Sequence, residues 1–187
     1  TDVIEGATVN LLDAHSSGDS TSITIASDRT TLKDKLQTLV SAYNDLRFAL
    51  DEISDPESEE EEVGGALARD ISIIRTVKDT IYRAITQDSS TASGSLNGLR
   101  DIGFNFSLSG DLNFDETTFD TVADTSFADV AMMLSAGTND QSKYDGQAQG
   151  LAAVAIETLD VLTDSIDGVF TTRTASARKA ITDYETQ

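Results

Sequence analysis

Between residues 30 and 54 (TTLKDKLQTLVSAYNDLRFALDEIS), apolar side chains recur in alternating steps of four and three: Leu32, Leu36, Leu39, Tyr43, Leu46, Leu50 and Ile53. This is the a/d spacing of a coiled coil, kept for about three heptads. Leu32, Leu39, Leu46 and Ile53 form one line of the seam, and Leu36, Tyr43 and Leu50 the other. Val40 and Phe48 widen the apolar face, while Lys33, Asp34, Lys35, Asp45, Arg47, Asp51 and Glu52 lie off it. An amphipathic helix must bury its stripe against another element. The spacing therefore predicts a helical bundle, with the seven seam residues as its packing surface and a possible interface. Asp28 or Thr31 is expected to cap the helix, Thr31 with Asp34 making a capping-box pattern. Pro56 should end it, because the residue before a proline is pushed out of the helical region. The partner helices can come from this chain, as residues 147–167 and 171–187, from another chain, or from elsewhere in a longer rod-like parent.

Upstream, residues 1–26 read as two strands, around 8–12 and 22–25, with the polar turn DAHSSGDS between them. A lone hairpin is marginal in water, so this pair is expected to belong to a larger sheet. Downstream, SDPESEEEEVGG reads as an exposed acidic linker whose two glycines release the chain into a second helix over 66–87. Its apolar positions are Leu67, Ile71, Ile74, Ile81 and Ile85, with Val77 beside the slot that Lys78 interrupts, and it should lie antiparallel to the first helix. Leu96, Leu99 and Ile102 open the next unit. Phe104-Asn105-Phe106-Ser107-Leu108, the turn Ser109-Gly110-Asp111, and Leu112-Asn113-Phe114 form the clearest hairpin signal, with Phe104, Phe106, Leu112 and Phe114 as its core. Asp115 should cap a short helix over 116–123, and a second should run over 126–134. Residues 135–146 are polar and read as a loop. A helix follows over 147–167, with Leu151, Ala155, Leu159, Leu162 and Ile166 on one face and Gly168 as an interruption. The last helix, 171–187, carries Ala177, Ile181 and Tyr184 on one side and ends as though cut within a longer one. Thr1 in place of methionine, with no leader after it, is likewise expected of a piece of a longer chain.

Charge narrows the function classes. The chain's 13 basic and 33 acidic residues give a net charge of −20 over 187 residues. Nucleic acid is bound through Lys and Arg on its phosphates, so nucleic acid and anionic membranes are poor partners. No apolar run approaches the roughly 20 residues of a membrane span, and membrane insertion is not expected. There is no cysteine, which removes disulfide and thiolate chemistry.

No residue set supports catalysis. His15 is the only histidine, and it lies in a turn without the strained elbow that a nucleophilic serine needs. Gly64-Gly65 lacks the Lys-Ser/Thr of a phosphate cradle and follows four glutamates. The run 59–62 has no calcium-loop spacing, and Lys143 interrupts the Asn139-Asp140…Asp145-Gly146 loop. Paired carboxylates are uninformative in so acidic a chain. No catalytic residue, metal site or cofactor is expected.

Several segments, in order, resemble the flagellar filament capping proteins, a family of flagellar hook-associated proteins. They are TDVIEGATVNL at 1–11, with Glu5 where the family often has proline; ITIASD at 23–28; VSAYNDL at 40–46, the most diagnostic; LRDIG at 99–103, with Phe104 in the next place; GDLNFD at 110–115; and GVFTTR at 168–173. The resemblance covers nearly the whole chain, apart from the acidic linker and the polar 135–146 loop. It implies an α+β fold: an elongated helical, coiled-coil leg over 28–187 with a β-hairpin near 103–114. Before it would come the terminal strands of a truncated β-rich head domain at 1–27. It implies a secreted structural protein of bacterial motility and flagellum assembly. Such a protein forms an oligomeric ring at the extracellular filament tip and helps exported flagellin fold and insert. Flagellin and copies of itself would be its partners, with hook–filament junction proteins as further ones. The alternatives are another filament or junction protein, or an acidic cation-binding module.

Overall fold

The first helix starts where a carboxylate meets the backbone N–H groups that a helix leaves unpaired. Asp28 Oδ1 accepts the N–H of Thr31 at 2.9 Å, and Oδ2 accepts its hydroxyl at 2.7 Å. These Thr31 hydrogen bonds, the hydroxyl's foremost, hold the Asp28 carboxyl below the usual range. Of the two expected caps, Asp28 is the one used, and Thr31 is a donor to it. The computed structural model describes residues 28–59, 64–92, 94–135 and 148–186. The strands expected within 1–27, most of the acidic run and the 136–147 loop lie outside the described residues.

Helix α1 runs Arg29–Ser54, about 39 Å at the helical rise. Asp55 is extended (φ −84°, ψ 113°), as the following Pro56 demands. By Gly65 the chain is back beside the end of α1. Gly65 donates its N–H to the Glu52 carbonyl and Leu67 to the Ile53 carbonyl. Gly65 sits at φ +67°, where a Cβ would meet the Asp55 carbonyl oxygen at 3.0 Å. The expected release hinge is thus, at Gly65, a tight turn pinned to the end of α1, and only glycine fits it comfortably.

Helix α2, Ile71–Thr86, begins five residues later than the spacing suggested. It lies antiparallel to α1: Leu67 pairs near Ile53, and Lys78 Nζ reaches Asp51 at 2.5 Å. Its buried residues are Ile73, Ile74, Val77 and Ile85, whereas Ile71 is 60% exposed. The expected stripe is therefore rotated. Val77 becomes the centre because α2 packs against both α1 and a later helix, α4, and so needs a wider apolar face than one seam.

A 3₁₀ turn at Leu99–Ile102 follows, its start fixed by Asp101, which accepts the N–H groups of Asn97 and Gly98. Strands β1 (Phe104–Phe106) and β2 (Leu112–Phe114) pair antiparallel, with Phe104 opposite Phe114 and Phe106 opposite Leu112. Alternation puts all four on one face. Phe104 and Leu112 are buried, while Phe106 and Phe114 are half-buried. Two devices fix the hairpin to α1. The Asn44 side chain accepts the Leu112 N–H (2.9 Å) and donates to the Leu112 carbonyl (3.0 Å), so its amide stands in for a neighbouring strand. Beside it, Arg47 donates to Asp111 at 2.6 Å.

Helix α3, Glu116–Ser135, is broken at Ser126 (φ −140°), so the two expected short helices run on from one another across a kink. Asp115 caps it, accepting from the Thr117 N–H and the Thr118 hydroxyl. On its outer side Glu116, Asp120 and Asp124 meet Gln37, Lys33 and Arg29 of α1. Both sets step by four, so the two helices are antiparallel and in register. Such exposed pairs add little stability each, and their main effect is alignment. The inner side contributes Phe119, Ala123, Val130 and Met133, all essentially without exposure. These pack with Leu36, Ile85, Leu99, Ile102, Phe104 and Leu112 as the main core. A second cluster joins Leu50, Ile73, Ile74, Val77 and Leu162.

Helices α4 (Leu151–Thr163) and α5 (Val169–Glu185) complete the described chain. Helix α4 packs on α2 and α3 and α5 packs on α4, while α4 shares with α1 the second core cluster, where Leu162 joins Leu50. The expected pairing of the α1 seam with these two helices is therefore reduced to that cluster. Short connections bring α2 and the hairpin onto α1 first, and α4 lies on the far side of α2. On α4, Leu151, Ala153 and Leu162 are buried, but Leu159 is exposed, and Ile166, expected on the same face, lies exposed beyond the end of the helix. Helix α4 ends at Thr163, short of the expected 167, and Gly168 begins α5, where a Cβ would lie 2.3 Å from the Asp164 carbonyl oxygen. No residue of α5 is buried. Arg173 holds it by a two-pronged contact to Asp70, Nε at 2.9 Å and Nη2 at 2.7 Å, with Nη2 also on Ser72. This hydrogen bonding, Arg173 first, lowers the Asp70 pKa to about 2.

Two outcomes follow from these contacts. Asn44→Ala strips partners from both the N–H and the C=O of Leu112, and should cost about 1–3 kcal/mol in urea unfolding. Asn44→Asp, which keeps the acceptor but loses the donor, should fall between it and the parent. Because the folded Asp70 pKa is depressed, its contribution is present above the ordinary carboxylate value of 3.8 and is lost as pH falls from there through about 2. Hydrogen exchange in α5 should therefore accelerate across that window, beyond the change seen in α3. In Arg173→Gln this extra step should vanish, and its persistence would show that Asp70 does not hold the helix.

Candidate assembly surfaces

The seam divides into two lines with different surroundings. Leu36 and Leu50 are buried and Tyr43 is half-buried, on the side covered by the hairpin and α2. Burial raises the Tyr43 phenol above its ordinary pKa. The other line is less covered: Leu32, Leu46 and Ile53 are half-buried, and Leu39 is 39% exposed. The heptad spacing thus supplies one core line and one flank left partly open.

The hairpin aromatics join the same core from above. Phe106 packs between Tyr43 (5.7 Å between ring centres) and Tyr82 (5.1 Å). Phe104 stacks with Phe114 at 4.9 Å, and Phe114 meets Phe119 edge-on. Edge-on and offset arrangements are the favourable ones for aromatic pairs. Together with Asn44 and Arg47 they make the hairpin a rigid platform. At its tip Asp111 accepts from Ser109 and Ser107 as well as Arg47, and these contacts, Ser109's first, lower its pKa. Leu108, in the same tip, is fully exposed. Phe48, on the neighbouring turn of α1, is 67% exposed.

A second apolar surface lies on α4 and α5, where Ile156, Val161, Ile166, Phe170, Ile181 and Tyr184 all face solvent. Scattered single apolar residues are ordinary on protein surfaces. Here Phe170, Ala177 and Tyr184 repeat every seven residues along one helix with no buried residue. A third feature is a cleft of about 310 Å³ lined by Ile85, Thr86, Leu99, Arg100, Phe104, Asn105 and Phe106.

Three or more His, Cys, Asp or Glu residues placed to hold a metal ion are not found among the described residues. None of their helices is long and apolar enough to cross a membrane. His15 and the Asn139–Asp145 loop lie outside the described residues. The contacts that sequence reasoning missed are those of Asn44, Arg47 and Arg173. The available signal was a polar residue flanking the seam beside Tyr43, and an arginine just inside the start of a helix.

Comparison with known proteins fits this architecture. The family model described as "Flagellar hook-associated protein 2 C-terminus" matches residues 1–187. The B-type flagellar hook-associated protein 2 of Pseudomonas aeruginosa is 25% identical over 189 residues, covering 100% of this chain and 37% of the relative. The flagellar hook-associated protein 2 of Aeromonas caviae is 26% identical over 185 residues, covering 92% of this chain and 39% of the relative. The chain thus spans less than two fifths of either relative. Its fold is similar to the crystal structure of the flagellar cap protein FliD D1-D2-D3 domains from Escherichia coli, with a TM-score of 0.58. That match has 22% identity and covers 79% of this chain and 35% of the other. With the family's model matched from the first residue to the last, this chain belongs to the flagellar hook-associated protein 2 C-terminus family.

Proposed function

We propose that this chain is the leg-forming part of a flagellar filament cap, a structural protein at the distal, extracellular end of the filament. The observation that carries this reading is the family match along the whole chain, together with a fold shared with a flagellar cap protein. Residues 28–187 form the helical leg and residues 1–27 the closing strands of a head domain. The parent protein would assemble into a ring of copies and help exported flagellin fold and insert. Hook–filament junction proteins are further partners.

The physical properties support a contact protein. The α1 rod, the hairpin fixed across it, and the half-open seam line through Leu39 supply shape and apolar contact area. The net charge of −20 disfavours non-specific association with other acidic surfaces. Binding would then depend on matched apolar anchors such as Leu108, Phe48 and the α5 line.

Immunogold electron microscopy with antibody raised against this chain, on flagella of the source organism, tests the reading. Gold confined to filament tips is expected. Gold along the filament would instead make it a filament subunit. Label at the hook–filament boundary would make it a junction protein. Flagella without label on cells that contain the antigen would remove the flagellar role.

A further inference from the structure

The two-stranded sheet has two edges, and the chain treats them differently. In an antiparallel pair, residues that exchange both backbone hydrogen bonds alternate with residues whose N–H and C=O point outward. Asp115 donates to the Gly103 carbonyl and Ser107 to the Asp111 carbonyl. With Asn105 opposite Asn113, the inward-bonded positions of β1 are therefore 103, 105 and 107. The N–H and C=O groups of Phe104 and Phe106 point away from β2, and no backbone group of the described chain takes them. On β2 the outward groups are those of Leu112 and Phe114, and both of Leu112's are taken by the Asn44 amide.

The outer edge of β1 borders the 310 Å³ cleft, whose other walls are Ile85 and Thr86 of α2 and Leu99 and Arg100 of the 3₁₀ turn. By backbone approach only that turn and β2 lie beside β1 among the described residues, while the rings of Tyr43 and Tyr82 reach Phe106. A row of backbone donors and acceptors next to apolar walls is the geometry of strand addition, in which main-chain bonds give affinity and pockets select alternate side chains. The one charged residue lining the cleft is Arg100. It pairs with Asp88 at 2.6 Å, but both side chains are more than half exposed. An exposed pair is weak, and the five N–H donors of a guanidinium can serve a second carboxylate.

We propose that this edge binds an extended segment of another polypeptide as a third strand. Its alternate residues are apolar and enter the cleft, and an acidic side chain at the rim meets Arg100. An incompletely folded protein presents such segments, whereas a folded one has its strands already paired. The inference rests on the proposed handling of exported subunits only for the source of that strand. Its test uses synthetic peptides, so it fails or stands separately from the tip-labelling experiment.

The probes are nine-residue peptides alternating valine with threonine, each with one glutamate at a different threonine position. A matched set is N-methylated on alternate amides. Amide exchange and chemical shifts of the 187-residue chain are followed by nuclear magnetic resonance. In the free chain, Asn105 and Asn113 should be protected and the half-buried Phe106 should exchange faster than either. At least one unmethylated peptide should protect Phe104 and Phe106, and methylation of the edge-facing amides should abolish this. Arg100→Gln should weaken that peptide by roughly 1.5- to 5-fold, the range of an exposed ion pair. The proposal is overturned if no peptide protects these two amides, or if methylated peptides bind equally well. Protection that rises with protein concentration without peptide would also overturn it, since the edge would then pair with a second copy.

Discussion

The Asn44 amide clasped on Leu112 is the contact through which the hairpin becomes part of the bundle. A two-stranded hairpin is barely stable alone. Here it gains a substitute third strand from a helix side chain, an ion pair from Arg47 one position outside the same turn, and an aromatic underside pressed on Tyr43 and Phe119. The consequence reaches both ends of the chain. With the sheet held over the middle of α1, α3 must leave β2 along the N-terminal half of α1, where the Arg29, Lys33 and Gln37 ladder receives it. Helix α2 takes the C-terminal half, where Leu50 joins Ile74 and Val77.

The chain holds its parts together by two different means, in separate places. The region of the hairpin, α3 and the first half of α1 is closed by large side chains without exposure: Phe119, Ile102, Leu112 and Met133. The one buried polar side chain among the described residues, Ser89, is satisfied by the Met133 carbonyl. At the other end α5 buries no residue and is tied by the Asp70–Arg173 fork and a tight glycine turn. Packing of the first kind sets stability. An exposed charged contact sets direction more than energy, so α5 is placed by its turn and its clamp while its apolar heptad line faces solvent.

How much was legible depended on the range of the interaction. The α1 seam, its cap at Asp28, its end before Pro56, the hairpin alternation and the Asp115 cap are local. Each is set by neighbours within a few residues; the helix itself, its end before Pro56, the hairpin pairing and the Asp115 cap are where the spacing placed them, and Asp28 is one of the two caps expected. Which apolar residues sit innermost was not local. Val77 displaced Ile71 because α2 has two neighbours, Leu159 stayed outside because α4 meets α2 and α3 on a narrower stripe than its composition suggests, and Ile166 stayed outside because α4 ends before it. Gly65 reads as a hinge in isolation, and becomes a pinned turn only because α1 ends beside it.

Sequence alone determined that this chain makes a long amphipathic helix and a phenylalanine-rich hairpin, since periods of 3.5 and 2 in apolar residues admit few other structures. Its motifs, taken in order, also determined the family. Tertiary structure decided which surfaces meet: the hairpin and α2 on α1, α4 beyond α2, and Asn44 on the sheet edge at Leu112. The physical reason is that secondary structure follows from steric and hydrogen-bonding preferences of adjacent residues. Pairing of faces depends instead on the order in which short connections bring elements together and on the area each leaves uncovered.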